Sequence, residues 1–582
     1  MPLPLVSDLP LKIALPAAAA AAAYLNARWA LSHDIGLITS GLKMALKARV
    51  AERGDRLNLF YNLEAQALSP TTADNDFIVY NGRTWSFRET YLMALRYGAW
   101  FKNVRGVRQK DIVAIDFMNS STFIFMTLGL WSIGAIPAFI NYNLSGKPLT
   151  HSVRTSSAKL LIVDEEVRNC FPPEQLKTFA SESFRDGKGP VEVVFHTPEI
   201  EAEVLEMEPA REEDKVRGGQ AARDMALLIY TSGTTGLPKP AIVCWKKCWA
   251  ASLFVGDWMK VGPSDRFFTC MPLYHSSAYI MGFVTCLFNG ATLVIGRKFS
   301  ARTFMKEARE NDATIIQYVG ETLRYIMAVP PEIDATTGED LDKKHNIRER
   351  FNIPTICEFY AATEGTSGSW NQSSNDFSAG AIGRNGVLGN FILGRGSAIV
   401  DVDHETQEPW RDPKTGLCKK VPRGDPGELL FVIDANDPKA NFQGYFQNNQ
   451  ATESKIVRDV LKKGDAYFRT GDMVRWDRDG RWFFSDRLGD TYRWKSENVS
   501  TNEVGEVLGS HAEVHEANVY GVVLPNHDGR AGCAAIVFNQ QVASGTSGPA
   551  LEPSRATLDS LAAHTLQNLP RFAAPLFPSR HN

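Results

Sequence analysis

Residues Thr231–Pro240 read TSGTTGLPKP, and this stretch decides how the rest of the chain is interpreted. It directly follows an apolar run, Met225–Tyr230, which predicts a buried strand. Glycine lets backbone N–H groups approach an anion, hydroxyl groups add donors, and lysine adds positive charge. A flexible linker is the alternative, but linkers rarely follow a buried strand, so a loop that binds nucleotide phosphates is favoured. The candidate phosphate-binding residues are Thr231, Ser232, Gly233, Thr234, Thr235, Gly236 and Lys239.

The size and composition of the chain are those of a multidomain globular protein. Its 582 residues exceed what one hydrophobic core usually organises. Hydrophobic residues make up 44% of the chain and charged residues 22%, which is ordinary for a globular protein. A net charge of −3 gives no basis for expecting a nucleic-acid partner.

Residues 1–55 are expected to form a leader with a membrane-associating segment. Ile13–Leu25 is uncharged, but its 13 residues fall short of the ~20 that a spanning helix needs. Leu37–Arg49 mixes apolar and basic residues, as a helix on a membrane surface does. A plain leader and a secretory signal are the alternatives. The eight cysteines form no CxxC pair and indicate reduced thiols, so a membrane that faces the cytosol is expected: endoplasmic reticulum, peroxisome or lipid droplet.

A second apolar stretch, Phe117–Leu144, contains no charged residue and is long enough for a membrane span. Several asparagines and serines break it, and Gly134 and Pro137 punctuate it. We therefore expect a buried helix followed by a buried strand.

The remaining patterns predict an α/β fold with a large N-terminal domain at 56–488 and a small α+β domain at 489–582. Between 77 and 320, short apolar runs such as Ala313–Val319 alternate with helical patterns, which predicts two α/β subdomains with largely parallel sheets. Asn81-Gly82 predicts a hairpin turn. From about residue 395, short strands and turns predict a small β-rich subdomain. The last helix is expected to be apolar along Leu558, Leu561, Ala562, Leu566 and Leu569.

Four further segments carry side chains suited to a nucleotide site. Glu358–Gly365 offers an aromatic ring for adenine and a carboxylate for Mg²⁺. Tyr467–Asp472 offers a carboxylate for ribose hydroxyls, and Asp486–Asn498 follows closely. Met271–Ser276 supplies an aromatic ring and an imidazole. Taken singly, each has a simpler explanation: Glu364 as a helix cap, Asp472 as a turn residue and His275 as a core histidine.

In this order the segments resemble the adenylate-forming (AMP-binding) superfamily of acyl-CoA synthetases, luciferases and peptide adenylation domains. Within it, the chain is similar to the fatty acid transport protein and very-long-chain acyl-CoA synthetase branch, in a fungal form. The motifs are EFYAATEG (358–365), MPLYHSS (271–277), IQYVGE (316–321), DRLGDTYRWKSENVSTNEV (486–504), INYNLSGKPLTH (140–151) and VYGVVLPNHDGRAGCAA (519–535). The resemblance spans nearly the whole chain.

The resemblance implies a two-step reaction. A fatty carboxylate attacks the α-phosphate of Mg·ATP to give acyl-AMP and pyrophosphate, and coenzyme A then displaces AMP. Its implied catalytic residues are Thr231, Lys239, His275 and Glu364. For the nucleotide, it implies that the loop from Thr231 to Lys239 binds the β/γ-phosphates, Tyr360 stacks on adenine, Thr363 lies near the α-phosphate, Glu364 binds Mg²⁺, and Asp472 and Arg487 bind the ribose. For the acid, it implies that His275 lies beside the acyl carboxylate and that Gln317, Gly320 and Glu321 lie near the acyl tunnel. It also implies a hinge at Gly489 and Asp490.

Two segments depart from the family pattern. A glycine-rich segment of the form GNGLR is absent between IQYVGE and EFYAATEG. In the family it supplies a core strand and a loop against adenine, so its loss is expected to unpair neighbouring strands and open the nucleotide pocket. The family also has a near-terminal lysine, whereas no lysine follows Lys495, and the C-terminal domain is expected to be truncated. In the family this lysine is a hydrogen-bond donor to the transition state of adenylation. Loss of such a donor typically lowers the rate ~10²–10³-fold, so the resemblance alone does not establish that this chain is active.

Three functions therefore remain open. The first is ATP-dependent activation of long- or very-long-chain fatty acids to acyl-CoA through acyl-AMP, with coupling to fatty acid uptake. The second is a catalytically weak protein that transports or binds fatty acids and keeps the fold. The third is an acyl-CoA ligase of secondary metabolism for a polyketide or hydroxy acid. ATP, Mg²⁺, coenzyme A, a fatty acid and a membrane surface are the expected ligands and partners.

Overall fold

The structure of the protein is a computed structural model. It describes residues 11–580 apart from 186–188, 232–236, 331–332, 334–335, 339–352, 393, 404–405, 489–491, 495–496, 525–529, 540–552 and 572. The α-helices are α1 Leu11–Trp29, α2 Leu31–Arg53, α3 Phe60–Leu68, α4 Phe87–Asn103, α5 Ser121–Ser132, α6 Gly146–Ser156, α7 Pro173–Phe179, α8 Pro198–Glu206, α9 Trp245–Met259, α10 Thr285–Asn289, α11 Phe304–Glu310, α12 Gly320–Ala328, α13 Val387–Ile392, α14 Asn449–Glu453, α15 Thr501–Gly509 and α16 Arg555–Asn568.

Short helical segments of other types also occur. A π-helical segment at Ser277–Val284 leads into α10, and single 3₁₀ turns lie at Glu165–Cys170, Asp214–Val216, Asp376–Ser378, Gly394–Gly396 and Pro438–Ala440. The strands are β1 Asp76–Tyr80, β2 Arg83–Ser86, β3 Ile112–Asp116, β4 Ile136–Ile140, β5 Leu160–Asp164, β6 Glu192–His196, β7 Met225–Thr231, β8 Lys239–Cys244, β9 Arg266–Thr269, β10 Thr292–Ile295, β11 Ile315–Ile316, β12 Ile356–Ala361, β13 Gly368–Ser373, β14 Gly383–Arg384, β15 Ser397–Val400, β16 Val402–Asp403, β17 Glu408–Pro409, β18 Pro426–Ile433, β19 Ile456–Arg458, β20 Ala466–Trp476, β21 Arg481–Arg487, β22 Tyr492–Trp494, β23 Glu497–Val499, β24 Val514–Val523, β25 Arg530–Phe538 and β26 Phe577–Arg580.

The first sheet has the order β6-β5-β3-β4-β7-β8 and is parallel except for β8. The strand expected at Met225–Tyr230 is β7, and its middle residues are buried. Because β8 returns antiparallel to β7, the predicted phosphate loop is the connection between these two strands. The stretch Phe117–Leu144 forms the buried helix α5 and the buried strand β4, as expected.

The second sheet has the order β11-β9-β10-β1-β2, and it too is parallel except for one edge hairpin. The predicted hairpin turn at Asn81-Gly82 is confirmed, because it joins β1 and β2 and both residues have positive φ, 50° and 73°. Residues of both sheets and of α4, α5 and α9 form one continuous hydrophobic core.

The run Ala313–Val319 was expected to be one strand, but only Ile315–Ile316 pairs, at the edge of the second sheet. The chain turns away because the amide of Val319 bonds to the Thr322 hydroxyl at the start of α12. The next strand, β12, pairs with β13 as a separate antiparallel hairpin. The place where the glycine-rich segment is expected to be missing falls within residues 339–352, which lie outside the described part. The unpairing of neighbouring strands that its loss implies therefore stays a prediction.

The β-rich subdomain predicted beyond residue 395 is an antiparallel sheet with the order β14-β21-β20-β18-β15, with β19 on β20. The last segment is α+β: β24, β25 and β26 form a sheet, and α15 and α16 share a hydrophobic core with it. The fold class is therefore the expected α/β architecture.

The prediction of the apolar face of α16 is wrong in part. Leu561 and Leu569 are buried, but Leu558 and Leu566 are exposed. The buried stripe instead contains Thr557 and Thr565. Threonine is compatible with this position because the Thr565 hydroxyl donates to the Leu561 carbonyl, 2.7 Å away, so its polar group is satisfied within the helix.

Helix α2 packs on the α/β core. Leu37 of α2 is buried against Phe254 and Trp258 of α9. The carboxylate of Asp34 is fully buried and accepts from the amides of Gly386 and Gly389, 2.7 Å from each, at the start of α13. Within the described residues, no helix is both long and apolar enough to cross a membrane.

Candidate active site

A cavity of about 960 Å³ opens where β7, β12 and β20 end or bend. These strands belong to three different sheets, which converge at the cavity and bring side chains that are distant in sequence together. Predicted site residues on its wall are Thr231, Lys239, His275, Thr363, Glu364, Asp472 and Arg487. The structure thus brings together seven residues that the sequence singled out separately.

The phosphate side of this cavity lies at the β7–β8 connection. Thr231 and Lys239 pair in register as the last residue of β7 and the first residue of β8. The Lys239 ammonium lies 5.7 Å from the centre of the Tyr445 ring. Ser232, Gly233, Thr234, Thr235 and Gly236 fall outside the described residues, so their part in phosphate binding stays a prediction.

Glu364 follows β12, and its side chain is held by a residue that the sequence did not identify. The hydroxyl of Tyr445 donates to the Glu364 carboxylate, 2.8 Å away. The backbone carbonyl of Glu364 accepts from the Lys247 ammonium, 2.9 Å away. Burial lowers the pKa of Lys247. The Tyr445 contact orients the carboxylate, and the Lys247 contact fixes the backbone that carries it.

The described residues contain no group of three or more His, Cys, Asp or Glu side chains able to hold a metal ion. Mg²⁺ in nucleotide sites usually takes one or two carboxylates and fills its other positions with phosphate oxygens and water. Glu364 and Asp472 are the buried carboxylates on the described wall of this cavity, and because both oxygens of Asp472 already have partners, Glu364 is the residue that would hold Mg²⁺.

The proposed ribose carboxylate, Asp472, is almost fully buried, and both of its oxygens have partners. Arg487 lies opposite it in register on β21, and its Nε donates to Asp472 across 3.1 Å. Tyr360 of β12 donates from its hydroxyl to the other oxygen, 2.5 Å away. Burial and the neighbouring Asp472 raise the pKa of Tyr360 above its usual range. Tyr360 thus lies behind Asp472, and its stacking on adenine stays a prediction.

His275 lies on the cavity wall with its imidazole open to the cavity, and burial among the surrounding protein atoms lowers its pKa. The next residue, Ser276, shares a hydrogen bond of 2.9 Å with the hydroxyl of Thr363. The MPLYHSS and EFYAATEG segments, which are far apart in sequence, are therefore joined directly beside the imidazole.

A second cavity, of about 690 Å³, is lined by Ser277 and by residues of α9, β11 and β12. Its wall is mainly apolar, with Val255, Met259, Phe267, Met281, Met305, Ile315, Ile316, Val319, Ile356 and Phe359. Gln317 lines it, and both polar atoms of its side-chain amide have partners. The amide oxygen accepts from the Thr269 hydroxyl, 2.7 Å away, and the amide nitrogen donates to the Ser277 carbonyl, 2.8 Å away. Gly320 lines it as well, whereas the side chain of Glu321 is outside the described part.

The predicted hinge residues, Gly489 and Asp490, also lie outside the described residues. Just before them, the amide of Leu488 donates to the carbonyl of Gly471, 2.7 Å away. The chain therefore leaves the β-rich subdomain from a point fixed beside Asp472.

Comparison with known proteins agrees with this geometry. Residues 63–445 match the family of AMP-binding enzymes. The very long-chain fatty acid transport protein of Cochliobolus heterostrophus is 33% identical over 588 residues, covering 98% of this chain and 87% of the relative. Isopenicillin N epimerase component 1 of Hapsidospora chrysogena is 35% identical over 588 residues, covering 97% of this chain and 86% of the relative.

A bacterial relative and a solved structure extend the comparison. The medium/long-chain fatty acid–CoA ligase FadD6 of Mycobacterium tuberculosis is 32% identical over 565 residues, covering 94% of this chain and 85% of the relative. The o-succinylbenzoate CoA synthetase of Bacillus subtilis, solved with its acyl-adenylate intermediate, has a TM-score of 0.65 at 20% identity, covering 89% of this chain and 93% of that one. The chain belongs to the AMP-binding enzyme family, in the branch of the fatty acid transport proteins.

Proposed function

We propose that the protein activates long- or very-long-chain fatty acids to acyl-CoA through acyl-AMP, at the expense of ATP, and that this activation is coupled to fatty acid uptake. The observation that carries the proposal is the proximity of two unlike cavities. His275 lines the polar cavity together with Glu364 and Asp472, and Ser277, two residues further along the chain, lines the mainly apolar cavity. A nucleotide in the first and an acyl chain in the second would meet near these two residues.

In the first half-reaction, the protein's task is to position the reactants and to neutralise charge. His275 has a lowered pKa and is therefore neutral near pH 7, so it can donate one hydrogen bond to the acyl carboxylate without becoming its counter-ion. Thr363 is held against Ser276 and can donate near the α-phosphate. Mg²⁺, which Glu364 would hold, neutralises phosphate charge when it is bound. Arg487 and Asp472 would hold the ribose.

In the second half-reaction, coenzyme A loses its thiol proton to solvent, the thiolate sulfur attacks the acyl carbon of acyl-AMP, and the bond from that carbon to the AMP phosphate oxygen breaks. AMP leaves with the electron pair of that bond. Gly489 and Asp490 are proposed as the hinge about which the C-terminal domain, 489–582, turns between the two half-reactions.

Formation of the acyl-CoA thioester tests this proposal. The full chain is incubated with ATP, Mg²⁺, coenzyme A and single acids from octanoate to tetracosanoate, and the product is identified by mass spectrometry. We expect a thioester with the longer acids and AMP in equal amount. A folded protein that binds fatty acid but forms neither product would instead be the transport or binding protein of the second hypothesis.

One observation favours a ligase for a polar acid as the second candidate. The acyl cavity has a polar patch in which the Tyr318 hydroxyl donates to the Glu358 carboxylate, and Gln372 lies on the same wall. A hydroxy acid or polyketide acid could place its own hydroxyl there, and one relative is isopenicillin N epimerase component 1. Thioester formation with a 3-hydroxy acid and with none of the plain fatty acids would establish this candidate.

We also propose that the protein binds a membrane that faces the cytosol. Large apolar side chains are exposed on α1, α2 and α13, which lie together because Asp34 joins α2 to α13. They are Leu15, Tyr24, Trp29, Ile35, Leu42, Leu46, Val50, Val387, Phe391 and Ile392. Exposed basic residues, Arg28, Lys47 and Arg49, lie on the same helices. An apolar surface with basic residues suits the interface of an anionic bilayer.

Co-sedimentation with vesicles tests the membrane proposal. We expect the full chain to bind vesicles containing phosphatidylserine, and Phe391→Ser to weaken binding severalfold. Leu205→Ser is the matched control, because Leu205 is an exposed apolar residue on α8. Equal weakening by both changes, or no binding to anionic vesicles, would contradict the proposal.

A further inference from the structure

Lys455 lies on the wall of the nucleotide cavity, in the turn between α14 and β19. Its backbone is fixed on both sides: its amide donates to the carbonyl of Thr452, 3.1 Å away, and its carbonyl accepts from the amide of Arg469, 2.7 Å away. Its ammonium donates to the carbonyl of Thr470 at 3.2 Å and lies 5.9 Å from the centre of the Phe468 ring. The cation is therefore held by the sheet that carries Asp472.

The arginines on the described wall of this cavity already have acceptors. Arg469 is paired with the fully buried Glu428, 2.9 Å away, and Arg487 with Asp472, 3.1 Å away. Backbone carbonyls accept from the remaining two, Arg411 and Arg458. Among the described residues, Lys455 has no carboxylate within 4.0 Å, so two of its three N–H groups remain available to a ligand.

The charges around Lys455 indicate which part of a nucleotide it faces. Burial lowers the pKa of Lys455, while Glu364 and Asp472 oppose that effect more strongly than the other carboxylates do. Glu364 is the proposed Mg²⁺ carboxylate, and Asp472 is the proposed ribose carboxylate. In ATP, the α-phosphate joins the ribose to the two outer phosphates. A poorly hydrated cation that interacts with both carboxylates is thus suited to the α-phosphate.

We propose that Lys455 binds the α-phosphate and stabilises the charge that develops there during adenylation, an assignment that rests on the proposed function. The acyl carboxylate oxygen forms a bond to the α-phosphorus, and the bond to the oxygen that bridges the α- and β-phosphorus atoms breaks. Pyrophosphate leaves with that electron pair. Lys455 neither gains nor loses a proton; it donates hydrogen bonds to a non-bridging oxygen. A preorganised donor of this kind acts mainly in the transition state.

The position of Lys455 has a consequence for the reaction cycle. Its backbone belongs to the β-rich subdomain and not to the C-terminal domain. The contact with the α-phosphate would therefore be present in any orientation of residues 489–582. Lys455 would also hold AMP after pyrophosphate has left, because AMP retains this phosphate.

Nucleotide affinity provides a test that does not depend on turnover. Calorimetry compares AMP with adenosine, which lacks the phosphate, in the full chain and in Lys455→Gln. Glutamine can still donate to the Thr470 carbonyl but carries no charge. We expect AMP to bind at least tenfold more weakly to the variant and adenosine to bind equally well. Unchanged AMP affinity, or equal weakening of both ligands, would overturn the assignment.

Two further variants complete the test. Lys462→Gln is the matched control, because Lys462 is an exposed lysine just beyond β19 and does not line the cavity, and we expect it to change neither affinity. Lys455→Arg keeps the charge and is expected to bind AMP more tightly than Lys455→Gln. Equal AMP affinities in these two variants of Lys455 would count against a phosphate contact.

Exchange of pyrophosphate into ATP separates this assignment from the proposed function. In Lys455→Gln, we expect kcat to fall by roughly 10²–10³, with a smaller change in KM for ATP. If the unaltered protein shows exchange and the variant is unimpaired, the assignment of Lys455 is wrong. If the unaltered protein shows no exchange with any acid, the proposed function is wrong, and the AMP comparison still decides whether Lys455 contacts the phosphate.

Discussion

The hydroxyl of Tyr445 and the carboxylate of Glu364 share a hydrogen bond of 2.8 Å on the wall of the nucleotide cavity. Both side chains are almost fully buried. Burial, together with Glu364, raises the pKa of Tyr445 above its usual range, so the hydroxyl keeps its proton and donates at any physiological pH. Tyr445 thereby orients the one carboxylate that the account assigns to Mg²⁺.

Replacing Tyr445 by phenylalanine removes that bond with little change in volume. A hydrogen bond to a charged group contributes about 1.5–3 kcal/mol, so we expect roughly a tenfold rise or more in the Mg²⁺ concentration needed for half-maximal pyrophosphate exchange. The measurement is a Mg²⁺ titration of exchange at fixed ATP. Tyr467→Phe, in the core of the same subdomain, serves as the control. An unaltered Mg²⁺ midpoint in Tyr445→Phe would show that this bond does not position Glu364 for the metal.

Asp116 gives a pH dependence of stability with a definite sign. It lies at the end of β3, is fully buried, and neither carboxylate oxygen has a hydrogen-bond partner among the described residues. Burial, and to a lesser degree Asp164, raises its pKa to about 7. A raised carboxyl pKa stabilises the fold at low pH, and that stabilisation is lost as pH rises through about 7.

The free energy of unfolding therefore loses about 1.4 kcal/mol per pH unit from this group, between the usual carboxyl pKa and the raised one. Asp116→Asn lacks this effect, so we expect its stability relative to the unaltered chain to improve by about 2–3 kcal/mol between pH 5 and pH 7.5. Denaturant unfolding of both proteins at the two pH values measures the difference, with Asp425→Asn, at an exposed carboxylate, as control. A difference that does not vary with pH would contradict the burial of a neutral carboxyl.

Asp34 provides a test of how firmly the N-terminal helices belong to the fold. Asp34→Ala leaves the amides of Gly386 and Gly389 buried without an acceptor, and each costs about 1–3 kcal/mol. We expect a clear loss of stability and faster proteolysis within α2. Asp34→Asn retains one acceptor oxygen and should be intermediate. Proteolysis at the same rate in all three proteins would show that α2 is held by its other contacts alone.

Gly320 tests the assignment of the acyl cavity. It lines that cavity at the start of α12, and nothing lies within 4 Å of the position that a Cβ would take. A tryptophan at position 320 can therefore extend into the cavity, and Gly320→Trp is expected to shift the preference towards shorter acids, with more than a tenfold loss for the longest. Gly396 has similar free space and lines neither cavity, so Gly396→Trp is the control. The same chain-length profile in both variants would place the acyl chain elsewhere.

The sequence predicted the parts of the site that follow from strand order. Thr231 ends β7, Glu364 follows β12 by three residues, and Asp472 lies within β20, so each lies in or near a strand that could be read from the sequence. Tyr445 and Lys455 could not be found in this way, because they lie in irregular connections of the β-rich subdomain. Their positions depend on how the connection between β18 and β20 folds back onto β7 and β8, and no local pattern encodes that contact.

The errors in the fold have similar causes. Hydrophobic periodicity assigned Leu558 and Leu566 to the buried face of α16, although threonines occupy that face. The apolar run that ends at Val319 continues beyond its pairing strand because the start of α12 takes over the backbone hydrogen bonding. In both cases a local hydrogen bond, from the Thr565 hydroxyl to the Leu561 carbonyl and from the Val319 amide to Thr322, satisfies a polar group that a pattern of apolar residues does not register.

Exchange of labelled pyrophosphate into ATP, in the presence of Mg²⁺ and hexadecanoate, shows whether the protein adenylates a fatty acid, because exchange requires only the first half-reaction. We expect exchange that depends on the fatty acid and that falls by roughly 10²–10³ in Glu364→Gln. Exchange should persist in Glu206→Gln, at an exposed carboxylate at the end of α8. A folded chain that binds ATP but shows no exchange with any fatty acid would contradict the proposed function.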